Sequence, residues 1–108
     1  MIDVTFLKKK DNIVSFEVKG HADFDEYNKD IVCSAVSAIS QTTLIGILDV
    51  LHIKVDYSIK EGFLSLSLKD NTYEEIQECQ VLLNTMLCGL KNMECGYKKY
   101  IKVSVEEV

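Results

Sequence analysis

The chain has 108 residues, 47% of them apolar and 27% charged, with no proline and a net charge of −5. That is the composition of one ordinary globular domain, here taken as residues 1–108, rather than of a disordered or fibrous segment. The negative balance argues against a binder of nucleic-acid phosphates, which needs a basic surface, and no apolar run is expected to reach the roughly 18 residues of a membrane span.

In chain order, Ile2, Val4 and Phe6 alternate with Asp3, Thr5 and Leu7, and Val14, Phe16 and Val18 alternate with Ser15, Glu17 and Lys19. A period of two marks half-buried strands, and Lys10-Asp11-Asn12 between them supplies a tight turn. A helix is predicted from Asp30, a favoured N-cap residue, to about Leu51. It carries two apolar stripes, one through Val32, Val36, Ile39, Ile47 and Leu51 and another through Ile31, Ala35, Ala38 and Ile45. A helix apolar over so much of its circumference is covered on two sides. A second hairpin follows, with Ile53, Val55, Tyr57 and Ile59 in one arm, Glu61-Gly62 as the turn, and Leu64, Leu66 and Leu68 in the other. Thr72 and Glu75 form a capping-box pair that opens a second helix, which ends near Gly96. Ile101, Val103 and Val105 make a last strand. The order ββαββαβ predicts an α+β two-layer sandwich, a mixed sheet of about five strands with both helices on one face.

The four cysteines, at 33, 79, 88 and 95, form no CxxC pair and no metal-ligand spacing. The lysines of the opening MIDVTFLKKK follow its apolar residues, the reverse of a signal peptide, so the cytoplasm is the expected compartment and the cysteines are expected to be thiols. Cys79 lies on the apolar face of the second helix. Cys88 and Cys95 share a face but sit roughly 10 Å apart along it, too far for a disulfide. These three read as structural.

One segment breaks the pattern: Gly20-His21-Ala22, a polar loop, then Asp30-Ile31-Val32-Cys33-Ser34-Ala35-Val36-Ser37. With Asp30 as the cap, Cys33 falls in the first helical turn. There the helix dipole favours a thiolate, and the backbone N–H groups of Cys33 and Ser34 are candidate donors to an oxyanion. His52 stands 19 residues beyond Cys33, roughly 28 Å along an unbroken helix, and is excluded as its base. His21 ends the second strand and can face the helix start, which makes His21–Cys33 the one open Cys–His pair. The residues by themselves leave Cys33 readable as core filler. Asp30 is either a helix cap or the group that orients His21. Ser34, Ala35, Ser37 and Ala38 either permit close packing or keep space around the sulfur. Phe24 and Tyr27 either pin the loop or wall a pocket for an aromatic side chain. The loop also carries Asp23, Asp25, Glu26 and Asp30 against Lys29 alone. That acidity either attracts a basic substrate or is merely solvated.

Gly20-His21-Ala22 followed by Asp30-Ile31-Val32-Cys33-Ser34-Ala35-Val36-Ser37-Ala38 resembles the signature of the ribosomal-processing cysteine protease (Prp) family, and length and element order match over the whole chain. The resemblance implies a maturation protease that removes an N-terminal extension from a large-subunit ribosomal protein, cutting after a pair of phenylalanines. It implies His21 as general base and Cys33 as nucleophile, with no cofactor. It also implies a homodimer, which would cover the second stripe through Ile31, Ala38 and Ile45. The loop between His21 and Cys33 departs from the family in containing no glycine. Two alternatives stand beside the protease: a non-catalytic ribosome-associated binding module, and a metal site on His21 and Cys33, which lacks a third ligand at suitable spacing.

Overall fold

The computed structural model describes residues 1–20 and 27–108. Two strands, β1 (Ile2–Lys9) and β2 (Asn12–Lys19), form the first hairpin. Helix α1 (Tyr27–Ile45) runs on into a π-helical turn, Gly46–Val50. The second hairpin, β3 (Asp56–Lys60) and β4 (Phe63–Ser67), precedes helix α2 (Tyr73–Gly96), and β5 (Ile101–Glu107) follows it. The ββαββαβ order expected from periodicity holds.

The five strands lie in the order β3-β4-β2-β1-β5. All neighbours are antiparallel except β1 and β5, which pair in parallel with Val4 opposite Val103. The alternation read from sequence decides which face is inward. Val4, Phe6, Phe16, Leu64 and Leu66 are buried, and they share the core with Val32, Val36, Leu44 and Ile47 of the first helical segment and with Cys79, Leu83, Met86 and Leu90 of α2. Phe6 and Phe16 stand directly opposite across the first hairpin, their ring centroids 5.9 Å apart. The outer face carries Thr5, Ser15, Glu17, Ser58, Ser65 and Ser67, so among the described residues the sheet is covered on one side only.

Four sequence expectations are corrected. First, α1 begins at Tyr27, three residues before the expected cap; Asp30 is therefore inside the helix. Tyr27, Asn28 and Lys29 include no glycine or proline to stop the helix from extending backwards. Second, β3 begins at Asp56 rather than Ile53. Ile53 is drawn into the core at the helix end, its N–H donating to the Ile47 carbonyl at 3.0 Å, and the Lys54 carbonyl accepts from Asn71 Nδ2 at 2.7 Å, so neither residue is free to join a ladder. Third, Ile31–Val50 is long and apolar enough, at mean hydropathy 1.8, to cross a membrane by length and composition alone. Its apolar residues are spread among small residues, Ser, Thr and Gln, with one charge at Asp49, so the stretch does not read as an apolar run, and its Val32, Val36, Leu44 and Ile47 are committed to the core. Fourth, Cys88 and Cys95 are exposed thiols, not core filler: the residues of α2 committed to the core are Cys79, Leu83, Met86, Leu87 and Leu90.

The capping box of α2 forms as expected. The Glu75 N–H donates to Thr72 Oγ1 at 3.2 Å, and the Thr72 N–H donates to Glu75 Oε1 at 3.1 Å. The π turn was not legible. Gly46 opens it where a Cβ would come within 3.0 Å of Leu82 Cδ1 in α2, so the absent side chain lets the two helices close on each other. His52, at φ 55, then turns the chain out of the helix.

Candidate active site

Cys33 lies on the flank of α1, half-buried, in the wall of a cavity of about 280 Å³ between the helix and one end of the sheet. Three groups of residues form the walls. Cys33, Ser37 and Gln41 succeed one another at four-residue spacing along α1, with the buried Ser40 beside them; Val18 and Gly20 close the end of β2; and Ile59 to Leu64 contribute the β3–β4 turn. Four-residue spacing places side chains one above another on a helix, which is why a single flank of α1 faces the space. The Ser40 hydroxyl donates to the Val36 carbonyl and so is satisfied within its own helix, while Cys33 and Ser37 also face this wall.

Gly20 fixes the path of the chain as it leaves β2. Its φ is +140°, and a Cβ there would lie 2.5 Å from the Met1 carbonyl oxygen and 2.9 Å from the Ile2 Cα. No side chain fits. Its N–H donates to the Gly62 carbonyl at 3.0 Å, which ties the end of β2 to the β3–β4 turn. The next residue in the chain after this constrained glycine is His21. His21 itself and Phe24 lie outside the described residues, as do the side chains of Tyr27 and Asp30.

The early start of α1 changes the electrostatics expected of Cys33. Cys33 is the seventh residue of the helix, so its N–H and that of Ser34 fall in the interior ladder, each bonded four residues back. They are therefore engaged, not spare donors for an oxyanion, and the helix dipole acts mainly on the turn before them. Ser37 does stand in the cavity wall. Sequence reasoning missed Val18, Gln41, Lys60, Glu61 and Phe63. The β3–β4 turn was legible as a turn, but its place beside Cys33 depends on β4 pairing with β2, a contact that no local pattern encodes. Among the described residues, no three His, Cys, Asp or Glu side chains converge to hold a metal.

The profile of the family described as Cysteine protease Prp matches residues 1–102. The chain belongs to this family. It is 29% identical over 108 residues to the ribosomal processing cysteine protease Prp of Bacillus subtilis strain 168, covering 96% of each chain. It is 28% identical to the protein of the same description from Staphylococcus aureus strain Mu50, covering 95% of each. Among solved structures, SMU.848 from Streptococcus mutans superposes with a TM-score of 0.91 at 27% identity, covering 100% of this chain and 96% of that one. The S. aureus Prp in complex with a substrate peptide gives 0.84 at 25% identity, with 98% of this chain and all of that chain covered. The S. aureus Prp with a covalently linked product peptide gives 0.80 at 27% identity over the same shares. The Prp family is one of cysteine proteases, its relatives described as ribosomal processing proteases, and this chain has its fold: the mixed five-stranded sheet with two helices.

Proposed function

We propose that this chain removes the N-terminal extension of a large-subunit ribosomal protein precursor, with Cys33 as nucleophile and His21 as general base. The observation that carries the assignment is the position of Cys33. It opens onto the cavity at the end of the strand whose last turn, through Gly20, leads into His21. His21 takes the thiol proton, and the sulfur attacks the carbonyl of the scissile bond. The tetrahedral intermediate collapses, the amine leaves with the proton from His21, and water then hydrolyses the thioester. The covalently linked product peptide of the S. aureus relative is consistent with such an acyl–sulfur stage. Family resemblance supplies the cleavage point, after two phenylalanines; the order of apolar residues and lysines in MIDVTFLKKK favours the cytoplasm as the compartment in which the precursor is met. Asp30, in the first turns of α1, and Ser37, Phe24 and Tyr27 remain candidates for positioning and substrate contact.

The test is incubation of the protein with the precursor and mass measurement of both fragments. Cleavage after the phenylalanine pair, lost in Cys33→Ser and reduced by orders of magnitude in His21→Ala, is the expected outcome. An intact precursor, or full activity in Cys33→Ser, overturns the assignment.

The same reading assigns a second copy of this chain to the back of α1. Ile31 is 43% and Ile45 52% exposed, Ala38 lies exposed between them, and no charged side chain occurs from Ile31 to Leu48.

A further inference from the structure

The sheet has two edges, β5 and β3. The β5 edge is partly closed: the Val103 N–H donates to Glu94 Oε2 of α2 at 2.7 Å, and its inward side chains Ile101 and Val103 lie buried beneath that helix. The β3 edge is different. Lys60 and Phe63 flank the two-residue turn Glu61-Gly62 and are paired with each other. In an antiparallel hairpin of that register the pairs Lys60–Phe63, Ser58–Ser65 and Asp56–Ser67 exchange hydrogen bonds, and the residues between them turn their N–H and C=O outward. Those residues are Tyr57 and Ile59. Among the described residues nothing pairs with their outward groups.

Their side chains lie on the inward face, opposite the buried Leu66 and Leu64, yet they are 50% and 52% exposed because the helices stop short of β3. Ile59 is at the same time a wall of the cavity that holds Cys33. An open backbone edge, an apolar shelf beside it and the candidate nucleophile are thus continuous. An extended polypeptide fits this combination: its main chain can complete the ladder, and every second side chain falls on the shelf. A second copy of the chain fits less well, since its uncharged face is the back of α1 and not this edge.

We infer that the substrate docks by strand addition, its backbone bonded to the outward groups of Tyr57 and Ile59 so that the scissile bond is held beside Cys33. This rests on the protease reading and adds how the peptide is gripped. Recognition then runs through main-chain groups near the cut, with side-chain selection confined to alternate positions.

Hydrogen exchange on the Cys33→Ala protein tests the inference, with a synthetic peptide spanning the phenylalanine pair of the precursor added in excess. The Tyr57 and Ile59 amides are expected to gain protection, while Ser58 and Lys60, already bonded to β4, do not change. A parallel series of peptides carries single backbone N-methyl groups. Loss of roughly tenfold in kcat/KM at every second position, with little at the positions between, is the expected pattern. Ile59→Pro removes one outward donor without touching the β4 ladder and is expected to impair cleavage more than Ile59→Ala, which removes the same side chain from the cavity wall but keeps the donor. Peptide binding or cleavage with no protection at Tyr57 and Ile59 and no alternation overturns strand addition and leaves the protease standing. A peptide neither bound nor cut overturns both.

Discussion

Burial pushes the Cys79 thiol up to about 11, and the carboxylates of Glu78 and Glu75 add to the effect. A thiol held neutral in this way neither attacks nor labels. Cys33 differs in being reachable from the cavity, while Cys88 and Cys95 are exposed on α2. Iodoacetamide at pH 7 with subsequent peptide mapping is therefore expected to leave Cys79 unmodified in the folded protein and to modify Cys33 before Cys88 and Cys95. Equal rates at Cys33, Cys88 and Cys95 would argue against an activated sulfur. Gly20 sets a second expectation. Any Cβ there meets backbone rather than a yielding side chain, so Gly20→Ala must shift the end of β2. A loss of about 1–3 kcal/mol in a denaturant melt is expected, with activity falling further than stability because the segment leading to His21 moves with it. The glycine before His21 was visible in the sequence. The contact with Met1 and Ile2 that makes it obligatory was not, since it joins positions far apart in sequence.

At the scale of elements, local signals succeeded where the deciding chemistry is local. The Thr72–Glu75 box sits where its residue types place it, and the Glu75 carboxyl is held below its ordinary value of 4.5, chiefly by the Thr72 backbone N–H and next by the Asn71 side chain. A depressed folded value means the stabilisation is present above about pH 4.5 and disappears as acid takes the carboxylate through its lower folded value. Thermal melts from pH 6 down to 3 are expected to show wild type losing this advantage over Glu75→Gln, and the two converging at the acid end. Thr72→Ala is expected to lower stability by about 1 kcal/mol across that range. The Asp30 cap failed for the opposite reason. A cap preference is worth so little that three ordinary helix-compatible residues ahead of it suffice to move the start. That small displacement is what carries the Cys33 and Ser34 amides from the helix terminus into its interior.

For the whole molecule, strand pairing lay beyond sequence reading because β1–β5 and β2–β4 join segments separated by a helix or by most of the chain. The uncharged back of α1 was visible as a second stripe, and its exposure of Ile31 and Ile45 makes the expectation concrete. Ile45→Lys is expected to halve the mass seen in solution by light scattering at micromolar concentration, while leaving the monomer folded. A monomeric wild type would end that expectation. The parallel pairing of β1 with β5 has a practical consequence for anyone handling this protein. The antiparallel pairing of β1 with β2 sets Met1 against Gly20 and Ile2 in the wall of the cavity, whereas the parallel run of β5 carries the other end away, the Val108 N–H bonding the Lys8 carbonyl at the far end of β1, roughly 20 Å off. A purification tag fused ahead of Met1 emerges beside the candidate nucleophile as a tethered polypeptide at high local concentration, whereas a tag after Val108 points elsewhere. Kinetics measured on the two fusions are expected to differ, with the N-terminal one slower until its tag is removed.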